Sequence, residues 1–282
     1  MPVRIAFLTT LAMLAFAGNS LLCRLALTRT GIDAASFTTL RIVAGALMLY
    51  LLVCLRGDTR ATGSWASALA LFAYAAGFSF AYLSLPAATG ALLLFGAVQA
   101  TMIGYGLGRG ERLASSQACG LAIAAAGLVG LLLPGLSAPS LPASLLMLGA
   151  GIAWGIYSLR GRAAGDPLSA TAGNFLRATP FAAVLSIALI GNASLDAAGF
   201  GYAAASGALA SAGGYIVWYH ALAGLRSTSA AAVQLSVPAL AAGGGVILLG
   251  EPLTLRLLLA TVAILGGVAL AIAGRRGQRP PG

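Results

Sequence analysis

Ten apolar runs, each about the length of a membrane-spanning helix, follow one another along the chain with only short polar breaks between them. Cut at charges, prolines and glycine-rich breaks, they cover about 3–23, 34–55, 64–84, 88–108, 113–133, 142–162, 169–191, 197–222, 228–249 and 254–273. Roughly 20 apolar residues in a helix cross the hydrocarbon core of a bilayer. In that core each backbone N–H and C=O must be paired within the segment, so a run of this length and character is read as a helix. The chain is therefore expected to be an all-α integral membrane protein with ten transmembrane helices. The breaks leave no room for a soluble domain, so residues 1–282 form a single membrane domain.

The charge content agrees. Only 8% of residues are charged and mean hydropathy is +0.96, whereas a soluble domain carries roughly 25% charged residues. All sixteen cationic residues are Arg. A pI near 10.4 would suit a nucleic-acid partner, but the arginines fall between the apolar runs and form no basic face. The lipid bilayer, and no nucleic acid, is the expected partner. Near the N-terminus, Arg4, an apolar stretch and Ala15-Phe16-Ala17 resemble a secretory signal. The apolar run continues past that triplet, so the first run is read as a retained helix.

Arginine placement orients the chain. With the N-terminus inside, inner segments hold Arg4, Arg56, Arg60, Arg109, Arg112, Arg160, Arg162, Arg226, Arg275, Arg276 and Arg279. Outer loops hold Arg24, Arg29 and Arg256, and Arg41 and Arg177 lie within helices 2 and 7. The positive-inside rule then puts both termini in the cytoplasm, across a bacterial-type inner membrane. An even number of helices gives the same result.

The two halves echo each other. Displacing the chain by about 140 residues puts Thr89 on Ser229, Gly110-Glu111 on Gly250-Glu251 and Gly127 on Gly267. Small adjustments put Ser20, Leu21 and Arg24 on Ser158, Leu159 and Arg162, and Arg41 on Arg177. Each half, 1–137 and 138–282, would hold five helices. Five is odd, so the second half is inverted relative to the first, an architecture of many secondary transporters. Glu111 and Glu251 fall where helices 5 and 10 are expected to begin. There a carboxylate can cap a helix N-terminus; a transport-coupling role is the alternative.

The Gly-Glu ends of helices 4 and 9, the helix-2 and helix-7 arginines, Trp154 and "LSVPALAAGGGVILLGEPL" (Leu235–Leu253) resemble the drug/metabolite transporter superfamily, EamA type. Within it the chain is most similar to the YddG-type amino-acid exporters. Pro238 departs from the repeat, because Val98 stands at the matching place. The resemblance implies export of small metabolites from the cytoplasm through a cavity lined mainly by helices 1, 3, 4, 6, 8 and 9.

The residues give an independent view of a binding site. Helix 3 carries Tyr74, Phe78 and Tyr82 at i, i+4, i+8, which sets three rings on one face. Helix 8 carries Ser211, Tyr215, Trp218 and Tyr219, and the two stripes would oppose each other across the pseudo-two-fold axis. They serve either packing or a cavity; tyrosine hydroxyls within hydrocarbon need partners, which favours a cavity. Helices 4 and 9 add Gln99 and Gln234, and helices 1 and 6 add Asn19, Ser20, Trp154, Tyr157 and Ser158. Uncharged amides, hydroxyls and ring faces suit a zwitterionic or amphipathic solute, with amino acids the leading class. The solute is expected to enter between helices 3, 4, 8 and 9.

Other groups qualify that site. The six acidic residues fall at helix ends or in loops, so no carboxylate stands at mid-membrane for ion coupling. His220, the one histidine, is either an interfacial cap or a proton site. Arg41 and Arg177 cap carbonyls or snorkel, or else gate the path or attract a carboxylate. Cys23, Cys54 and Cys119 have no ligand spacing, so no metal, cofactor or disulfide framework is expected. Gly151 and Gly155 make a small-residue face on helix 6 that serves internal packing or a weak homodimer. With one histidine and no buried carboxylate, an enzyme is hard to build. A channel would need a selectivity ring or re-entrant segment, and a nucleotide-sugar or lipid-precursor carrier more cavity cations for its phosphates.

Overall fold

Five helix starts are fixed by side chains that accept first-turn N–H groups, three of them aspartates. In this computed structural model, which describes residues 3–57, 61–110, 114–135, 138–161, 165–222, 224–225 and 233–274, Asp33 accepts from Ala35 and Ser36, Asp166 from Leu168 and Ser169, and Asp196 from Gly199. Ser64 and Thr254 accept from Ser67 and Leu257. Burial alone would raise the Asp33 pKa, but hydrogen bonds from Ser36, Ser194 and Ala35 outweigh it and hold the carboxyl below its usual value. Bonds from the Gly31 and Gly199 N–H groups lower Asp196 likewise.

The helices are α1 (Val3–Arg29), α2 (Ala34–Leu55), α3 (Trp65–Ala81), α4 (Ala87–Gly108), α5 (Ser115–Leu132), α6 (Leu141–Gly161), α7 (Pro167–Ala188), α8 (197–222), α9 (Ser236–Leu249) and α10 (Leu255–Gly274). Among the described residues there is no strand. Six of the helices, α1, α2, α4, α5, α6 and α10, are long and apolar enough to cross a membrane. Two helices widen into π-form, α8 over Ser206–Gly213 and α9 over Gly245–Leu249. Such wide turns cluster at functional sites in proteins generally.

Most expected boundaries agree within a few residues, and one difference is instructive. The first helix continues past Cys23 to Arg29, because the charge of Arg24 does not end it; Glu251 neutralises that charge across the bundle. The repeated Gly-Glu pairs divide into two roles. Gly110 and Gly250 have φ of 89° and 69°, left-handed values that end a helix and that only glycine adopts freely. Glu251 was expected to cap α10, but Thr254 does that. Glu251 instead accepts the Ala87 N–H, at 2.7 Å, and so caps α4, whose own N-cap residue, Pro86, has no acceptor side chain. Glu111 lies outside the described residues, as do Arg60, Arg112, Arg162, Arg226, Arg275, Arg276 and Arg279.

Packing sorts the helices into pairs. Helix α5 packs chiefly on α10, and α2 packs on α7 and the π-form stretch of α8. Between them, α3 and α4 pack on α6, α1 on α8 and α9, and α9 on α4. The small face of α6 is used inside the chain. Gly151 lies against the Leu94 carbonyl and Ala97, and Gly155 against Thr101. A side chain at either position would force α4 away.

Candidate functional site

Trp154 stands at the centre of an aromatic cluster. Its ring centroid is 4.9 Å from Tyr74 of α3, 5.0 Å from Tyr215 of α8 and 5.4 Å from Tyr157 one turn along α6. The stripe on α3 continues from Tyr74 to Phe78 at 5.4 Å and from Phe78 to Tyr82 at 4.7 Å. Phe16 of α1 meets Tyr215 and Trp218 edge-on, and Phe175 of α7 also approaches Tyr215. The α3 and α8 stripes thus face each other through the indole of Trp154.

Polar groups are built into the cluster. Asn19 donates from Nδ2 to the Tyr74 hydroxyl at 3.1 Å and accepts from the Ser206 hydroxyl at 2.6 Å. The π-form stretch of α8 supplies that Ser206. A small cavity of about 20 Å³ lies here, lined by residues of α1, α3, α4, α6 and α8 that include Asn19, Ser20, Tyr74, Phe78, Trp154 and Tyr215. That space is close to the volume of one water, so a solute fits only after the rings move apart.

The two ends of the bundle differ. At the end where α1 starts, a vestibule of about 380 Å³ opens between α3, α6, α7 and α8. Its walls include Ser64, Ser67, Tyr157, Arg160, Asn174 and Tyr219. Asn174 accepts the Ser64 N–H at 2.9 Å, and Arg160 donates to the Ser67 hydroxyl at 3.0 Å. Tyr157 lines the vestibule and stacks on Trp154, which lines the inner cavity. The opposite end is shut. Arg24 pairs with Glu251 at 3.1 Å and donates to the Tyr82 and Leu83 carbonyls at 2.7 and 3.1 Å. Glu251 holds Ala87 from its other oxygen. The latch thus ties α1, the α3–α4 turn, α4 and the segment before α10.

The expected site residues divide accordingly. Asn19, Phe78, Trp154 and Tyr215 meet at the cavity, Tyr157 and Tyr219 line the vestibule, and Trp218 is buried against Phe16. Tyr82 is buried beneath the latch, its hydroxyl donating to the Ala87 carbonyl at 3.3 Å. Gln99 is buried in α4 and Gln234 is partly buried; neither lines the cavity or the vestibule. His220 is exposed, and its Nδ1 lies 2.7 Å from the Ile216 carbonyl of its own helix. Arg177 caps backbone, donating to the Thr62 and Gly173 carbonyls at 2.5 and 3.0 Å. Arg41 does not snorkel: it is 2% exposed, over the Phe78 and Tyr74 rings at 4.9 and 5.4 Å. The open cleft adjoins α6 and α7 in place of the expected helices 4 and 9, since α4 packs closely on α6 and α9. Phe16, Phe175 and the Arg24 latch were not singled out from sequence. The match of Arg24 with Arg162, beside the repeated Gly-Glu, was the signal for the last.

Three comparisons place this geometry among known proteins. Residues 141–273 match the EamA-like transporter family. The chain is 60% identical over 277 residues to uncharacterized protein PA1977 of Pseudomonas aeruginosa, covering 98% of this chain and 96% of that one. A crystal structure at 18% identity shares the fold with a TM-score of 0.66, over 96% of this chain and 98% of its own. Residues 141–273 thus form a domain of the EamA-like transporter family, within the drug/metabolite transporter superfamily, in a chain whose apolar helices mark it as an integral membrane protein.

Proposed function

We propose that the protein is a secondary carrier that exports small amphipathic metabolites, amino acids foremost, by alternating access. The observation that carries this reading is the asymmetry of the two ends: a vestibule reaches the Tyr157–Trp154 stack from one side, and the Arg24–Glu251 latch seals the other. A carrier caught in one of its two states has this form. In this reading ten helices cross the inner membrane as two inverted halves, 1–137 and 138–282, with both termini cytoplasmic. Exchanging α1–α5 with α6–α10 turns the α3–α6 contact into α8–α1 and α4–α6 into α9–α1. It returns α2–α7, α5–α10 and α4–α9 to themselves, as a two-fold axis requires. The arginine distribution puts the vestibule on the cytoplasmic side.

Solute enters the vestibule past Asn174 and Tyr219, displaces the Tyr157–Trp154 stack and lies among Asn19, Phe78 and Tyr215. Rocking of the halves then parts Arg24 from Glu251 and opens the outer end. The protein works as a monomer or weak homodimer and needs no cofactor. Saturable solute counterflow in proteoliposomes is the expected result; unitary currents would favour a channel, and covalent turnover an enzyme. For the solute class, over-expressing cells should resist toxic amino-acid analogues. If no analogue in a broad panel becomes less toxic, amino acids are the wrong class.

A further inference from the structure

Arg41 is the anomaly of the interior. Among the described residues it is a deeply buried charged group, at 2% exposure, and its Nη1 has no hydrogen-bond partner. Among the described residues no carboxylate pairs with it, since the ion pairs there join Arg24 to Glu251 and Arg56 to Asp166. Asp33, on the same helix, is eight residues away, about 12 Å along the axis, and is already bonded to Ala35, Ser36 and Ser194. The faces of Phe78 and Tyr74 offset part of the cost of burying the guanidinium. Those two rings also form one wall of the central cavity. The cation therefore lies against two rings that wall the place where a solute would lie, without itself lining the cavity.

A buried positive charge with no carboxylate beside it is expensive, and the interior keeps this one next to its cavity. We propose that Arg41 is the specificity-determining cation of that cavity, selecting solutes that carry a carboxylate, as anions or zwitterions, over organic cations of the same shape. The proposal rests on the carrier reading and narrows its substrate class. A buried unit charge beside the cavity wall, in a medium of intermediate dielectric, is little screened by salt. It raises the occupancy of a carboxylate and lowers that of an ammonium ion. Arg177, its counterpart in the repeat, cannot do this, because its guanidinium holds the Thr62 and Gly173 carbonyls.

The test uses aromatic probes of similar size that differ chiefly in charge: benzoate, benzyl alcohol and benzylamine. Calorimetric titration of the full-length protein in nanodiscs, corrected with empty nanodiscs, should rank benzoate above benzyl alcohol above benzylamine, with roughly tenfold or more between the ends. Arg41→Gln should erase the order and Arg41→Lys restore it, a pattern that a purely structural role would not produce. Equal binding of the three probes, the reverse order, or no binding of any would overturn the proposal. So would an unchanged order in a folded Arg41→Gln protein. Should Arg41→Gln fail to fold, the wild-type order alone decides. Counterflow in proteoliposomes made from the same purified protein separates the two ideas. Saturable exchange without charge selectivity sinks this inference and leaves the carrier standing; no exchange of any solute sinks the carrier.

Discussion

Each end of the bundle carries one ion pair among the described residues, and the two are built differently. Arg24 and Glu251 lie 3.1 Å apart with 17% and 13% of their side chains exposed, and both also bind backbone groups of the α3–α4 region. Arg56 and Asp166, at the vestibule end, lie 3.4 Å apart with 58% and 47% exposed. A solvated pair contributes little, whereas breaking a partly buried one leaves a charge without a partner. One end is tied by a partly buried pair that also holds backbone, and in the carrier reading that pair is what opening would break. The other is held by weaker, separate contacts around a space already open.

The sharpest way to break this contrast is Glu251→Gln. It removes the charge while keeping an oxygen near the Ala87 N–H, and it strands Arg24. We expect a loss of about 2–3 kcal/mol in unfolding free energy, read as a lower melting temperature in detergent. A cysteine at buried Ala87 should at the same time become reactive to a thiol reagent. Unchanged melting and a silent cysteine would mean that the latch does not hold the end shut.

Next in size is Arg177→Ala at the vestibule end. Two backbone carbonyls, of Thr62 and Gly173, lose their donor, at a cost of about 1–2 kcal/mol. Because Thr62 is part of the vestibule wall, solute affinity should fall while exposure of the latched end is unaltered. A rise in Ala87 cysteine reactivity in this variant would show that the two ends are not separable.

Acid should loosen the latched end by a third route. The Asp33 carboxyl titrates below its usual value in the folded protein. Its stabilisation is therefore complete above the unfolded value near pH 4 and is lost as pH falls through the folded one. Melting temperature should drop in that window. Asp33→Asn keeps a capping oxygen and should flatten the drop, whereas Asp33→Ala should cost about 1 kcal/mol at neutral pH, the ordinary loss of a helix cap. If Asp33→Asn melts with the same acid profile as wild type, the decline has another source.

How much of this could be seen in the sequence follows from the range of the interactions. Apolar runs and caps are local, so α2 appears at Ala34–Leu55, as expected, and Asp33 stands before it. The Tyr74–Phe78 stripe follows from helical periodicity alone, and the rings do form one face. Partners across the bundle are a different matter. Arg24 looked like an outer-loop charge because its partner is more than two hundred residues away in sequence. Glu251 was recognisable as a cap, but not as the cap of α4, because nothing in its own neighbourhood points there. Arg41 and Arg177 are matched in sequence, yet one meets aromatic rings and the other meets carbonyls. The neighbours, not the residue, decide the role.

The smallest expected effect lies in a pocket beside the vestibule, where Arg56, Asp166 and His220 line a space of about 370 Å³ with Leu49, Leu52 and Ile216. Were transport coupled to protons, His220 would be the natural carrier, being the one histidine in the chain. Its ring, however, is exposed and engaged with its own helix at the Ile216 carbonyl, and it does not line the central cavity. A group that hands a proton to the transport cycle must lie within hydrogen-bond reach of the path. With no acidic side chain in the cavity lining either, transport should be driven by the solute's own gradient. His220→Ala and Arg56→Ala are therefore each expected to change stability by less than about 0.5 kcal/mol and to leave counterflow rates unaltered. Proteoliposomes loaded with solute and given an imposed pH gradient put this at risk. Uphill accumulation that follows the gradient and vanishes in His220→Ala would make His220 the coupling residue, and the weakly held end of the molecule would then house the energetics of the cycle.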